Sequence, residues 1–193
     1  PGLDVEATIG WTQGLSKMSD DLPETMPDAI PDERQLLLTL ATPERVMLLH
    51  NRDWHVFHET AEMVMLRMVH NGSLVAQCNI SPSPAVPAGD STSEQEYLDE
   101  VKAALAERKG LVHSSKIHGD VNGWRIHHVR ALGKANEKAL IWDYFLCTAK
   151  SGQQLSLIFS YAEEDAKLVA GSPEQMLGTL TIPTKRPKVV LPR

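Results

Sequence analysis

Tight-turn sequences separate short apolar runs along the chain, and this spacing constrains its fold more than any other feature. His70-Asn71-Gly72 lies between two such runs, and so do Asp120-Val121-Asn122-Gly123 and Lys150-Ser151-Gly152. Asn-Gly between apolar runs is a strong signal for a β-hairpin. Parallel strands need a long crossover, and most connections here are too short for one. The sequence therefore predicts an antiparallel sheet.

Two helices interrupt the predicted strands. Ser93 is the N-cap of the first, and Glu96 completes a capping box. Gly110 is expected at the C′ position, where glycine is favoured. Ser172-Pro173 opens a shorter second helix, with proline at the preferred first position. The predicted fold class is α+β: an antiparallel β-sheet meander with a capped helix after the first strands and a second helix near the C-terminus.

The register of the hairpin around Gly72 follows from burial. A two-residue loop would pair Val64 with polar positions of the next strand, whereas a three-residue loop with a left-handed Gly72 aligns the apolar positions. We therefore predict the three-residue loop. The apolar face then holds Val64, Leu66, Met68, Leu74, Ala76, Cys78 and Ile80.

The chain is predicted to have three parts. Residues 32–182 form the α+β domain, and residues 183–193 form a basic, proline-containing tail. Residues 1–31 are either the tail of an upstream unit or a strand and linker of this domain. The alternation from Leu3 to Trp11 predicts a half-buried strand, so residues 3–12 could mediate self-association through a sheet edge. Because the chain begins at Pro1 rather than Met, we expect it to belong to a longer protein.

Charge and hydrophobicity limit the partners. The formal net charge is -6, and the basic cluster lies in the C-terminal tail. This distribution argues against nucleic acid, which selects a basic face. No apolar run approaches the roughly 20 residues that span a bilayer. The cellular location stays open.

The chain has two cysteines, Cys78 and Cys147, each inside an apolar strand-like stretch. Free cysteine packs as a small hydrophobic residue. A domain of this size needs no disulfide to fold, so we predict two buried, free thiols.

The histidines give two candidate metal sites. His50, Asp53, His55 and His58 are close in sequence, but His55 and His58 differ by three and should point to opposite faces of a regular strand. His118 and His128 become diagonal neighbours across a hairpin if its loop has three residues. His127 would then point the other way. Two histidines make a weak site, and we predict no metal and no cofactor.

Signatures of catalysis and nucleotide binding are missing from the sequence. It contains no Gly-x-Ser-x-Gly elbow, no P-loop and no Gly-x-Gly-x-x-Gly after a strand. No pair of carboxylates is placed by its spacing for acid–base work. The sequence therefore assigns no catalytic residue.

A different signal lies on the second face of the hairpin, which mixes apolar and polar residues. Met63, Met65 and Arg67 fall on it. Methionine packs irregular gaps in cores, and it also forms adaptable contact surfaces. These residues are the candidate partner-binding positions.

The order of elements from Arg45 to Ile182 resembles the PsbP-like fold family, which includes an extrinsic photosystem subunit and a nuclear-import Ran-release factor. The family's members are mostly binding or assembly proteins without a shared active site, so the resemblance implies no particular functional residue. The matching landmarks, in order, are Trp54, Glu96-Tyr97-Leu98, Gly123-Trp124, Gly152, Met176-Leu177 and Leu180-Thr181-Ile182.

Three functional hypotheses follow. The leading one is a non-enzymatic binding or scaffold domain of a longer chain. The second is a hydrolase or lyase whose site the sequence does not reveal. The third is a metal module that uses His118 and His128.

Overall fold

A computed structural model describes residues 34–135 and 137–183. The helices are α1 (Glu94–Ala106), α2 (Ala166–Val169) and α3 (Ser172–Gly178), and a 3₁₀ turn at Glu163–Asp165 precedes α2. The strands are β1 (Arg34–Leu38), β2 (Val46–His50), β3 (Trp54–Glu59), β4 (Val64–His70), β5 (Ser73–Ser83), β6 (Leu111–Val121), β7 (Trp124–Ala135), β8 (Lys138–Ala149) and β9 (Gln154–Ala162).

The main sheet has seven strands in the order β3-β4-β5-β9-β8-β7-β6, and every neighbouring pair is antiparallel. Strands β1 and β2 form a separate antiparallel pair. The large sheet joins two meanders, β3 to β5 and β6 to β9, through the pairing of β5 with β9. Helix α1 lies in the connection between them. The predicted α+β class is confirmed.

The two faces of the main sheet are covered differently. The core face packs against the β1–β2 pair and the C-terminal helices, around Trp54, Phe145 and Phe159. The opposite face, here called the helix face, packs against α1 through Tyr97 and Val101, but only over the β6–β9 half. The helix face of β3, β4 and β5 has no helix over it among the described residues.

The start of α1 is as predicted and its end is not. The Glu96 amide donates to Ser93 Oγ at 3.2 Å, which confirms the N-cap. The helix ends at Ala106, and the left-handed residue after it is Lys109, not Gly110. Gly110 has a steric role, because a Cβ there would collide with the side chain of Leu105.

The β4–β5 hairpin has the predicted register but a different turn. His70 pairs with Ser73, so the loop has two residues, and Asn71 and Gly72 both adopt positive φ as a tight hairpin turn requires. The extra residue is Val75, in a bulge. Six predicted apolar positions are therefore buried together, whereas Leu74 is 55% exposed and Val75 is buried instead.

The predictions for residues 1–31, including the strand at 3–12, and for residues 184–193 of the basic tail lie outside the described residues. In the part of the chain that is described, no helix is long and apolar enough to cross a membrane.

Candidate functional site

A buried polar cluster lies on the core face, at the centre of β7, β8 and β9. Asp143 is completely buried and accepts hydrogen bonds on both carboxylate oxygens. Its Oδ1 accepts from His128 Nε2 at 2.7 Å and from Arg130 Nε at 2.8 Å. Its Oδ2 accepts from the Tyr161 hydroxyl at 2.7 Å and from a second Arg130 nitrogen at 3.3 Å. We call these four residues the Asp143 cluster.

Strand register brings the Asp143 cluster together. Arg130 is the cross-strand partner of Asp143, and His128 lies two residues away on the same face of β7. Tyr161 pairs with Ile141, so it is diagonal to Asp143 from β9. Sequence reasoning missed the cluster because its members are far apart in the chain. The available signal was Asp143 itself, a lone acid inside the apolar run 139–149.

The electrostatics of the cluster favour an ionised carboxylate. Burial opposes the charge on Asp143, but hydrogen bonds and positive charge from His128 and Arg130 outweigh it and lower the pKa of Asp143 to about 2. Burial and the charge of Asp143 raise the pKa of Tyr161. Burial also raises the pKa of Glu174 on α3, and the carboxyl of Glu174 interacts electrostatically with Asp143, His128 and Arg130. The cluster is therefore a paired ionic group under the C-terminal helices.

His118 and His128 are close, although the turn that joins their strands differs from the predicted one. Val121 pairs with Trp124 across a two-residue turn, and a bulge at Gly119 restores the diagonal placement. The two rings stack with centroids 6.0 Å apart. Burial, with the positive charges of His128 and Lys116, lowers the pKa of His118 to about 4, so this imidazole is neutral at pH 7.

The arrangement around His128 does not provide a set of metal ligands. His128 Nε2 is engaged by Asp143, and the ring stacks on Phe145 at 4.2 Å. No group of three or more histidine, cysteine or acidic side chains is placed to hold a metal within 34–135 and 137–183. His127 is on the helix face near Tyr97, with ring centroids 6.1 Å apart. The Asp143 cluster thus has the geometry of a structural ionic network.

The first histidine group differs from the prediction. His55 pairs with Arg67 and His58 pairs with Met65, so both histidines lie on the same face of the sheet. The reason is a β-bulge at Phe57, which shifts the alternation of β3 by one residue. His50 is buried on β2, where its Nδ1 contacts the Asn51 carbonyl at 2.9 Å.

The uncovered part of the helix face on β3, β4 and β5 is here called the open face. Arg67 occupies its centre, with its guanidinium carbon 3.6 Å from the centroid of the Phe57 ring. Arg67 Nε also donates to Gln77 Oε1 at 3.3 Å, and Gln77 in turn donates to Asn79 at 3.1 Å. These contacts hold an arginine and an aromatic ring in a fixed arrangement at the surface.

Apolar side chains surround this arginine. Phe57 is 62% exposed, and Val69 and its cross-strand partner Leu74 are also exposed. Met65 is half-buried and lies two residues before Arg67 on the same face of β4, so Arg67 stands between Met65 and Val69. Met63 is half-buried too, but it precedes β4 in a turn where its amide donates to Thr60 Oγ1 at 3.1 Å. The structure thus brings Met65 and Arg67 together and places Met63 at the margin.

The open face also has a distinct charge. Its ionisable side chains are Arg67, His55 and His58, and no carboxylate contacts Arg67 in the described part of the chain. The chain as a whole carries a net charge of -6. Arg67 has Met65 and Val69 beside it along β4 and His55 and Gln77 across the strands, and its positive charge is a local reversal of the overall charge.

The cysteines lie apart from these features. Cys78 and Cys147 are both buried and free, as predicted. Burial raises the pKa of each thiol, so neither is poised as a nucleophile.

Three solved structures are similar to this chain to different degrees. A protein of Bacteroides thetaiotaomicron superposes with a TM-score of 0.52 at 11% identity, over 72% of this chain and 46% of that protein. LpqN of Mycobacterium tuberculosis, involved in cell envelope biogenesis, superposes with a TM-score of 0.47 at 11% identity, over 77% of this chain and 90% of LpqN. PA94 of Pseudomonas aeruginosa superposes with a TM-score of 0.39 at 14% identity, over 86% of this chain and 95% of PA94.

The match to the Bacteroides protein shows a shared fold and spans about half of that protein's length. No protein-family model and no curated protein sequence matches this chain. The three structures are not named as PsbP-like proteins, so that resemblance stays a prediction.

Proposed function

We propose that this chain is a protein-binding domain, and that its open face receives an acidic, partly apolar segment of a partner protein. The observation that carries the proposal is Arg67 stacked on the exposed ring of Phe57, with no carboxylate beside it in the described residues. Arginine and aromatic residues dominate the binding energy of protein interfaces. A guanidinium that is bonded to a neutral amide, with exposed apolar side chains nearby, favours a carboxylate as its further partner.

The surroundings support a contact surface. Three of the exposed large hydrophobic residues of the described chain lie at the open face: Phe57, Val69 and Leu74. Clustered exposed apolar surface marks interaction sites, whereas single exposed residues are ordinary. Met65 adds a side chain that adapts to the shape of a partner.

The fold supports the same interpretation. Strand β3 is the last strand of the main sheet in the described residues, so its outer edge is available to an added strand. A segment that pairs with β3 can lay alternate side chains toward Phe57 and Arg67. The Asp143 cluster is enclosed and internally paired, which supports a binding role over the alternative of a hydrolase or lyase.

The test is a selection of random peptides displayed on phage against the intact protein. We expect enriched peptides to combine acidic and apolar residues. Arg67→Gln and Phe57→Ala should each weaken their binding at least tenfold, about 1.4 kcal/mol or more. Arg108→Gln, a matched change of an exposed arginine just after α1, should leave binding unchanged. Enriched peptides without acidic residues, or peptides that bind Arg67→Gln as tightly as the wild type, would contradict the proposal.

A further inference from the structure

A cleft of about 360 Å³ lies on the other half of the molecule, where the β6–β7 and β8–β9 turns meet the loop before α1. Three short segments line it: Gly89–Ser91, the region from Ile117 to Arg125, and Thr148–Lys150. Its volume is at the small end of the range for ligand sites. The cleft is separate from the open face, but it borders the Asp143 cluster, because its lining residue His118 stacks on His128.

Glycines keep the cleft open. A Cβ added at Gly89, Gly119 or Gly123 would meet no atom within 4 Å. Gly89 and Gly123 have positive φ, so their backbone conformation favours glycine. Gly119 has no such constraint, and a side chain at that position would project into empty space. Bare backbone of this kind lets a ligand approach the chain closely.

Two hydrogen-bond donors converge on one side of the cleft. Arg125 and Thr148 are cross-strand partners on β7 and β8, so they share a face. The Thr148 hydroxyl accepts a hydrogen bond from Gln154 Nε2 at 2.8 Å, which leaves its own proton free to donate. Arg125 is exposed and makes no hydrogen bond or ion pair with any described residue.

The charged side chains of the cleft sum to zero, since Arg125 and Lys150 are positive and Asp120 and Asp90 are negative. Asp120 lies opposite Arg125 on β6, but its oxygens are engaged by Lys150 Nζ at 3.0 Å and by the Gly123 amide at 2.6 Å. Asp120 and Lys150 therefore neutralise each other. Asp90, on the loop before α1, adds a carboxylate to the lining.

We propose that this cleft binds a small ligand through a carboxylate or phosphate group, held by the Arg125 guanidinium and the Thr148 hydroxyl. An oxyanion satisfies both donors at once, and a planar guanidinium binds it in bidentate geometry. The Asp90 carboxylate favours ligands that carry a hydrogen-bond donor away from the oxyanion. The proposal does not depend on the open face.

The test compares three probes of similar shape: benzoate, phenyl phosphate and neutral benzamide. Each is titrated into ¹⁵N-labelled protein at constant ionic strength, and the amide signals of Gly89, Gly119 and Gly123 are followed by NMR. We expect saturable shifts with benzoate or phenyl phosphate and none with benzamide. The stronger of the two anions identifies the preferred group.

Variants decide whether the site is the one described. Arg125→Gln should weaken anion binding at least tenfold, and Gly119→Leu should abolish it by filling the cleft while the protein stays folded. Arg108→Gln, a change of an exposed arginine just after α1 and outside the cleft lining, is the matched control and should bind as the wild type does. Equal shifts with benzamide, shifts that survive in Arg125→Gln, or no saturable shift with either anion would overturn the proposal.

Discussion

Replacing Asp143 by asparagine should produce the largest loss of stability of any isosteric change in the sheet. The substitution keeps the size of the side chain but removes the charge that Arg130, His128 and Tyr161 share. Removing one partner of a buried ion pair costs about 3–5 kcal/mol, because the remaining charge loses its compensation. We expect Asp143→Asn to lower the free energy of unfolding by an amount in this range at pH 7.

The pH dependence separates the charge from the packing. The folded pKa of Asp143 is about 2 against an ordinary value of 3.8. Because the folded pKa is the lower one, the stabilisation is fully present above the unfolded pKa and is lost as the pH falls toward 2. This difference amounts to about 2 kcal/mol at pH 7 and about 1 kcal/mol at pH 3. The difference in the free energy of unfolding between wild type and Asp143→Asn should therefore decrease by about 1 kcal/mol from pH 7 to pH 3.

The assay is urea unfolding at pH 7, 5 and 3, followed by the fluorescence of the buried tryptophans. Tyr161→Phe removes one donor only and should cost less than Asp143→Asn, about 1–2 kcal/mol. Asp99→Asn is the control, since Asp99 is an exposed acid that bonds to Gln95 and Lys102 on its own helix. A cost below about 1 kcal/mol for Asp143→Asn, or a gap that is the same at pH 3 and pH 7, would refute the reasoning.

Three further predictions follow from the packing. The two buried cysteines should not react with Ellman's reagent in the native protein and should both react after unfolding without reductant; no thiol after unfolding would indicate a disulfide. Gly152→Ala should lower the free energy of unfolding, measured by chemical denaturation, at least twice as much as Gly89→Ala does. Both positions have positive φ, but a Cβ at Gly152 would overlap the Val86 carbonyl. Equal losses in the two variants would contradict this packing. A chain that starts at residue 32 should still unfold cooperatively and scatter less light, and loss of its cooperative transition would show that residues 3–12 belong to this sheet.

The sequence predicted what local patterns determine. Ser93 was recognisable as an N-cap because the capping bond is local. The alternation of apolar residues predicted which face of β4 and β5 is buried. It did not predict where the extra residue lies, because a bulge at Val75 and a longer loop at Gly72 give the same strand pairing beyond the turn. The same ambiguity applied to His118 and His128.

The functional features depended on contacts that local patterns do not encode. The bulge at Phe57 reversed the expected relation of His55 to His58 and placed the aromatic ring against Arg67. The mixed strand face identified Arg67 as a candidate from the sequence, whereas no pattern identified Phe57 as the ring that Arg67 stacks on. Likewise, the donors of the cleft, Arg125 and Thr148, meet only through the pairing of β7 with β8.

The open face is the proposed binding surface, and methionine methyl groups report on it directly. The protein is labelled with ¹³C at the methionine methyl carbons, and a peptide from the phage selection is added to saturation. We expect the Met65 signal to shift while that of Met176, buried under the core face, stays in place. A Met65 signal that does not move when the peptide is fully bound would contradict the account.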